Sequence, residues 1–189
     1  MTKFLVSALL ASALSVSAFA KEYNIDKSHS SVGFSVSHLT VSKVEGAFPE
    51  FSGRVDIDPK TKQIVALEGE IDISKLNTRN SSRDSHLQTE EFFDATNFPK
   101  GILKATKISK DKDGVMIEAD LTLKGITQKV MLKGTLKGPV QHPSTRKEVW
   151  GLDLSGMVMR MDFKLSEQTS SAVIGNEISI DINLEVHEQ

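Results

Sequence analysis

Imidazoles are the groups of this chain best suited to bind a metal ion or transfer a proton. No two of them stand at the spacing of a metal-binding motif, and no cysteine is present to complete a zinc site. Three of them could meet only through the tertiary fold, namely His29, His38 and His86. The spacing therefore predicts no metal centre and no cofactor. The five histidines are His29, His38, His86, His142 and His187.

Acidic side chains are the second group with catalytic potential. Glu90, Glu91 and Asp94 could serve acid–base chemistry, but near the start of a helix such residues more often stabilise the helix dipole. Arg83 and Asp84 either pair locally to hold a helical loop or form the polar mouth of a cavity. The sequence has no nucleophile elbow and no phosphate-binding glycine loop. We therefore predict that the protein is not an enzyme.

Two runs of alternating apolar and polar residues predict the strands that organise the fold. Apolar residues take the odd positions in 115–124 and the even positions in 177–186. Successive side chains of a strand point to opposite faces, so this period of two indicates one buried and one wet face. Each run therefore predicts a strand of an antiparallel sheet.

The alternation stops between residues 75 and 99. Asn80 and Thr89 are good helix-capping residues, and Phe92 and Phe93 need to be buried against other elements. A connection of this length is uncommon in a small β domain and usually has a function. We expect one or two short helices that lie over an opening of the sheet.

The whole pattern predicts an all-β fold, an extended eight-stranded antiparallel up-and-down barrel with short helices in the 75–99 connection. Closure would also remove exposed sheet edges. A two-sheet sandwich is the alternative architecture. A barrel of eight strands is just wide enough to hold one small ligand, although a solid core is the competing interpretation.

The first twenty residues have the pattern of a cleaved secretory signal peptide. A short basic start with Lys3 precedes an apolar run, and 18–20 (Ala-Phe-Ala) supplies small residues for cleavage. Residues 21–189 then form a single domain without disulfides, expected to be periplasmic or secreted. No later segment is long and apolar enough to span a membrane. The net charge of −2 is scattered, so no nucleic-acid partner is expected.

Several ordered motifs resemble the YceI-like, polyisoprenoid-binding family. Residues 23–30 (Tyr-x-Ile-Asp-x-x-His-Ser) resemble its opening, 121–127 (Leu-Thr-Leu-Lys-Gly-Ile-Thr) its hairpin, and 160–163 (Arg-x-Asp-Phe) its closing strands. The resemblance covers essentially all of 21–189. One departure is Lys164, where the family often has glycine.

The resemblance implies a lipocalin-like barrel whose elongated apolar channel holds an isoprenoid or another long-chain amphiphilic lipid, for transport or storage. It implies no catalytic residues, and it leaves the formation of a homodimer open. Two alternatives remain: an enzyme acting on a lipid or quinone-like substrate, and a stress or adhesion protein whose barrel is fully packed.

Inward-facing apolar side chains are expected to line the channel, with a few polar groups at one end. The two pairs contributed by residues 150–159 need not both face inward. The predicted lining is Phe34, Val36, Phe48, Phe51, Leu87, Phe92, Phe93, Leu121, Leu123, Trp150, Leu152, Met157 and Met159. The predicted polar end is His29, His38, Arg83, Asp84 and Arg160.

Overall fold

The computed structural model describes residues 20–112 and 114–189, so the predicted signal peptide lies outside the described residues apart from Ala20. Within these ranges the chain forms ten β-strands and one α-helix. In chain order they are β1 (Lys21–Ile25), β2 (Ser31–His38), β3 (Ser42–Ala47), β4 (Phe51–Asp58), β5 (Gln63–Asp72), α1 (Ser81–Leu87), β6 (Lys100–Asp111), β7 (Gly114–Leu123), β8 (Ile126–Gln141), β9 (Glu148–Met159) and β10 (Ile174–Glu188).

Eight of these strands close into an antiparallel barrel. The neighbours run β1, β4, β5, β6, β7, β8, β9 and β10, and β10 pairs again with β1. Closure leaves each of these eight strands with a partner on both sides, so the ring has no exposed edge. The predicted eight-stranded antiparallel barrel is confirmed, and the alternative sandwich is not formed.

The remaining two strands, β2 and β3, widen the wall along the first half of β10. β10 pairs with β2 from Ile174 to Asn183 and with β1 beyond that point. A short 3-10 turn, Lys27–His29, separates β1 from β2. β3 ends the sheet, and its Ala47 exchanges two backbone hydrogen bonds of 2.9 Å with Asn77. The segment after β5 therefore continues the wall where the sheet ends.

The alternating runs face as predicted. In β7 the odd positions from Val115 to Leu123 are buried and the even positions are not. In β10, Leu184 and Val186 are buried, whereas Ile178 and Ile182 are only half-buried although they share the same inward face. The difference shows that the interior is filled at one end of β10 and open at the other.

Large side chains fill the packed end of the barrel. Trp150 and Tyr23 are 1% and 0% exposed, and their rings meet edge to face with centroids 6.4 Å apart. The Tyr23 hydroxyl donates to Glu148 Oε2 at 2.8 Å. Burial together with this hydrogen bond raises the pKa of Tyr23 to about 12. Ile117 and Leu152 complete this end, which has no room for a ligand.

The connection between β5 and β6 covers the opposite end, as predicted. It contains a 3-10 turn, Ile73–Lys75, and helix α1, whose N-cap Asn80 accepts a hydrogen bond from the Arg83 N–H at 3.0 Å. Phe92 and Phe93 are buried beneath this cover, while Phe98 stays 36% exposed. We call residues 73–99 the lid segment.

Replacing one isoleucine at each end tests this division. Ile117→Ala in the packed end should lower the free energy of unfolding by about 2–5 kcal/mol, because its neighbours cannot refill the space. Ile180→Ala, which faces the hollow end, should cost less since fewer packing contacts are lost. Denaturant unfolding measures both, and equal losses would contradict the division.

Candidate functional site

The hollow end of the barrel encloses an apolar cavity of about 460 Å³. This is within the size range of sites that hold a small organic ligand. Ile178 and Leu184 of β10 both border it, and at about 3.3 Å per residue they span roughly 20 Å of strand. The lid segment contributes Leu87, Phe92 and Phe93 to its cover.

Most of the predicted lining residues border this cavity. Phe48 joins two elements there, since its ring lies 5.5 Å from that of Phe34 and 6.2 Å from that of Phe93. Their contact with a ligand stays a prediction. The predicted residues that line the cavity are Phe34, Val36, Phe48, Phe51, Leu87, Phe92, Phe93, Leu121 and Leu123.

Trp150 and Leu152 were predicted as lining residues, and this placement is wrong. Both face inward, but they lie in the packed end and border no part of the cavity. Inward parity repeats along the whole of β9, whereas the hollow occupies only part of the barrel's length. The alternation along the strand therefore predicted correctly that both side chains face inward, but it could not predict how far along the barrel they lie.

Met157 and Met159 were also predicted to line the channel, but both point away from it. They are 52% and 36% exposed, because Gly156 and Val158 occupy the inward positions of this part of β9. A Cβ at residue 156 would lie 2.6 Å from the Leu132 side chain, so the inward position there carries no side chain. Because Gly156 is not an apolar side chain, the alternation of apolar and polar residues is interrupted at this inward position. The interruption explains why the two methionines were assigned to the inner face.

The wall also contains apolar residues that the sequence analysis did not single out. Some of them were predictable from the sequence, since the even positions of 177–186 face inward together with Leu184. Others are brought to the cavity only by the closure of the barrel. The additional apolar lining includes Ile25, Val32, Val44, Leu67, Ile71, Leu103, Leu132, Val158, Leu165, Val173, Ile174, Ile178, Ile180, Ile182 and Leu184.

His29 was predicted at the polar end of the channel, and this placement is wrong. The 3-10 turn between β1 and β2 carries it out of the wall to an exposed position, where its Nδ1 lies 2.9 Å from Asp26 Oδ2. His38 and Arg83 do border the cavity, together with His86 of the lid segment. Only the tertiary structure separates these histidines.

Arg83 and Asp84 both bind the buried Thr78 rather than pairing with each other. Arg83 donates from Nε to Thr78 Oγ1 and from Nη2 to the Thr78 carbonyl, both at 2.8 Å. Asp84 accepts from the Thr78 N–H at 2.8 Å and from its hydroxyl. Asp84 does not border the cavity, which corrects its predicted place. Arg83 borders the cavity, and no carboxylate in the described part of the chain forms an ion pair with it.

Arg160 borders the cavity as predicted, but its guanidinium is fully engaged. It is 1% exposed and donates only to backbone carbonyls. Burial lowers the pKa of Arg160. Because a buried charge must be hydrogen-bonded, these contacts order the loop 160–175 against the cavity. The accepting carbonyls belong to Leu165, Ser166, Thr169, Ile174 and Gly175.

Glu91 ties the lid segment to this loop. One carboxylate oxygen lies 2.9 Å from His86 Nε2, and the other accepts from the Ser166 hydroxyl at 2.7 Å. The Ser166 N–H also donates to the Glu91 carbonyl at 2.7 Å. The hydrogen bonds from His86 and Ser166 hold the pKa of Glu91 below its ordinary value of 4.5.

Lys124 makes a second connection between the lid segment and the loop 160–175. Its Nζ donates to the Glu90 carbonyl at 2.7 Å and to the Lys164 carbonyl at 3.1 Å. Lys164 adopts a left-handed backbone with φ of 55°, a conformation that favours glycine. This accounts for the one departure from the family pattern: the turn is kept although its residue is a lysine.

Eight-stranded antiparallel barrels form a class whose interior is either filled by side chains or hollow, and this barrel has an apolar cavity at one end. Residues 23–186 match the YceI-like domain. The chain is 32% identical over 189 residues to the protein YceI of Salmonella newport, covering 98% of this chain and 97% of that protein. The protein belongs to the YceI-like family.

Solved structures share the architecture. The YceI protein of Campylobacter jejuni is 34% identical and superposes with a TM-score of 0.75, covering 89% of this chain and 99% of that one. A polyisoprenoid binding domain from Saccharophagus degradans is 16% identical with a TM-score of 0.63, covering 88% and 98%. The second likeness shows the fold alone. Within the described residues, no helix combines the length and apolar character that crossing a membrane requires.

Acidification should weaken the contact made by Glu91. A carboxyl whose pKa is lowered by folding stabilises the protein above its ordinary value, here 4.5, and this contribution disappears as the pH falls through the lowered pKa. Denaturant unfolding of the wild type and Glu91→Gln should therefore differ most above pH 4.5. The difference should shrink as the pH falls further.

Glu90→Gln serves as the matched control, because the Glu90 carboxylate makes no hydrogen bond within the described residues. Its stability should follow that of the wild type across the same pH range. A pH-independent difference between the wild type and Glu91→Gln would contradict the role assigned to the Glu91 carboxylate.

Proposed function

We propose that the protein binds a long-chain isoprenoid or another amphiphilic lipid in its cavity, for transport or storage in the periplasm or outside the cell. The enclosed apolar cavity of about 460 Å³ is the observation that carries this proposal. Burial of each methylene contributes about 0.8 kcal/mol, from which the cost of ordering the chain is subtracted. Affinity would therefore come mainly from the apolar tail.

The polar groups at the cavity suit the head of such a molecule. Arg83 is held in place by Thr78 and forms no ion pair within the described residues. His38 of β2 and His86 of the lid segment border the same cavity. A phosphate or hydroxyl head group would accept hydrogen bonds from these side chains while the tail lies along β10. The Saccharophagus degradans protein, which shares the fold, is a polyisoprenoid binding domain, and this agrees with an isoprenoid ligand.

Binding is better supported than catalysis at this site. Two of the charged groups that border the cavity are occupied: Arg160 donates to backbone carbonyls and Glu91 is shared by His86 and Ser166. General acid–base catalysis requires a side chain within hydrogen-bond reach of the reacting group, with its proton free to move. The hollow end also excludes the fully packed interior on which the adhesion alternative depended.

Filling the cavity tests the proposal. Ile180→Trp adds volume on the inward face of β10, and it should abolish the binding of an apolar fluorescent probe and of any lipid retained in native mass spectrometry. Met157→Trp adds the same side chain on the outer face of the neighbouring strand and should leave both unchanged. Equal loss in the two variants would contradict binding in the cavity.

A further inference from the structure

A group of four potential metal ligands lies on the outer surface of the barrel, away from the cavity. We call it the strand-break cluster, because it surrounds the turn that separates β1 from β2. Asp26 Oδ2 lies 2.9 Å from His29 Nδ1 and 3.8 Å from His187 Nε2. The cluster consists of Asp26, Glu185 and His187, whose ligand atoms are mutually close, together with His29, which lies beside both carboxylates.

The contacts to Glu185 complete the arrangement. Its Oε1 lies 2.7 Å from His187 Nε2 and 3.8 Å from His29 Nδ1. Asp26, Glu185 and His187 each offer one ligand atom within 4.8 Å of the other two, and His29 Nδ1 lies 2.9 Å and 3.8 Å from the carboxylates of Asp26 and Glu185. A tetrahedral zinc ion with bonds of about 2.0–2.1 Å separates its ligands by about 3.3 Å. The contacts of His187 with Glu185 and Asp26, at 2.7 and 3.8 Å, lie on either side of this distance.

The backbone positions these side chains independently of any ion. Glu185 and His187 stand two residues apart on β10, so both point outward. Asp26 lies one residue beyond the Ile25–Val186 pair, and its N–H donates to the Glu185 carbonyl at 2.8 Å. The Ser30 hydroxyl accepts from the Glu185 N–H at 2.9 Å. Two segments distant in sequence are thus held together at this point.

A hydrogen bond to one carboxylate oxygen of Asp26 leaves the other oxygen available to bind an ion. Its Oδ1 accepts from the Ser28 N–H at 2.8 Å, whereas Oδ2 faces the two histidines. Hydrogen bonds of this kind orient metal ligands in proteins. Nitrogen and oxygen donors without thiolates suit zinc, and also copper or nickel.

We propose that the strand-break cluster binds one divalent transition-metal ion, with zinc the best fit. The ion would fasten the Lys27–His29 turn to β10, where β1 gives way to β2. Because the ion would bind the folded chain, it would raise stability according to its concentration relative to the dissociation constant. This site is separate from the cavity, so the proposal does not depend on the function proposed above.

Titration of the untagged, full-length mature protein with zinc chloride tests the proposal, using calorimetry and thermal unfolding. Cobalt chloride provides a second probe, since its visible absorption reports tetrahedral coordination. We expect one ion per chain, a rise in melting temperature and a tetrahedral cobalt spectrum. Glu185→Gln and His187→Ala should each weaken zinc binding by at least about tenfold, since even loss of an outer-shell partner costs ten- to a hundredfold.

His142→Gln is the matched control. Its ring centroid lies 5.9 Å from that of His187, but its Nδ1 accepts from the backbone N–H groups of Ser144 and Thr145. This variant should bind zinc like the wild type. If His187→Ala fails to fold, the exposed His29→Asn replaces it in the test and should also weaken zinc binding.

The proposal is overturned if the wild type binds no zinc. It is equally overturned if the wild type and all the cluster variants bind zinc with the same affinity, because the ion would then lie at other histidines.

Discussion

The ring of backbone hydrogen bonds that β1 closes against β10 sets the width of the interior, and the rest of the structure depends on that width. Eight strands enclose a space that side chains can fill only where they are large. At one end Trp150 and Tyr23 supply that volume. At the other end the wall includes Gly69 and Gly101 and leaves the isoleucines of β10 only half-buried, so the same ring encloses a hollow.

A hollow lined with apolar side chains must be covered, and both burial of Phe92 and Phe93 and a set of polar contacts hold the cover. Arg160 orders one loop through backbone carbonyls, and Thr78 and Arg83 order the lid segment internally. Glu91 and Lys124 then join the two pieces. These contacts close the hollow end without using the side chains that fill the packed end.

The alternation along the strands also decides which side chains lie on the outer face of the barrel. Met157 and Met159 lie on it because Gly156 and Val158 occupy the neighbouring inward positions of β9. The strand-break cluster lies on it because Glu185 and His187 alternate with Leu184 and Val186. The alternation that builds the inner wall therefore also decides which polar groups meet outside it. A site on each face can serve a different purpose without competing for the same residues.

Alternation of residue types by itself predicted the long strands, and its interruption predicted the lid, because a period of two depends only on local backbone geometry. It favoured a barrel, but only the pairing of β1 with β10 decided against a sandwich. It also identified most of the cavity wall, from Phe34 to Leu123. Only the tertiary structure decided how far the hollow extends, which excludes Trp150, since depth depends on the volumes of side chains that are distant in sequence. It likewise decided that His29 meets Glu185 rather than His38, because long-range strand pairing brings together residues whose spacing along the chain carries no signal.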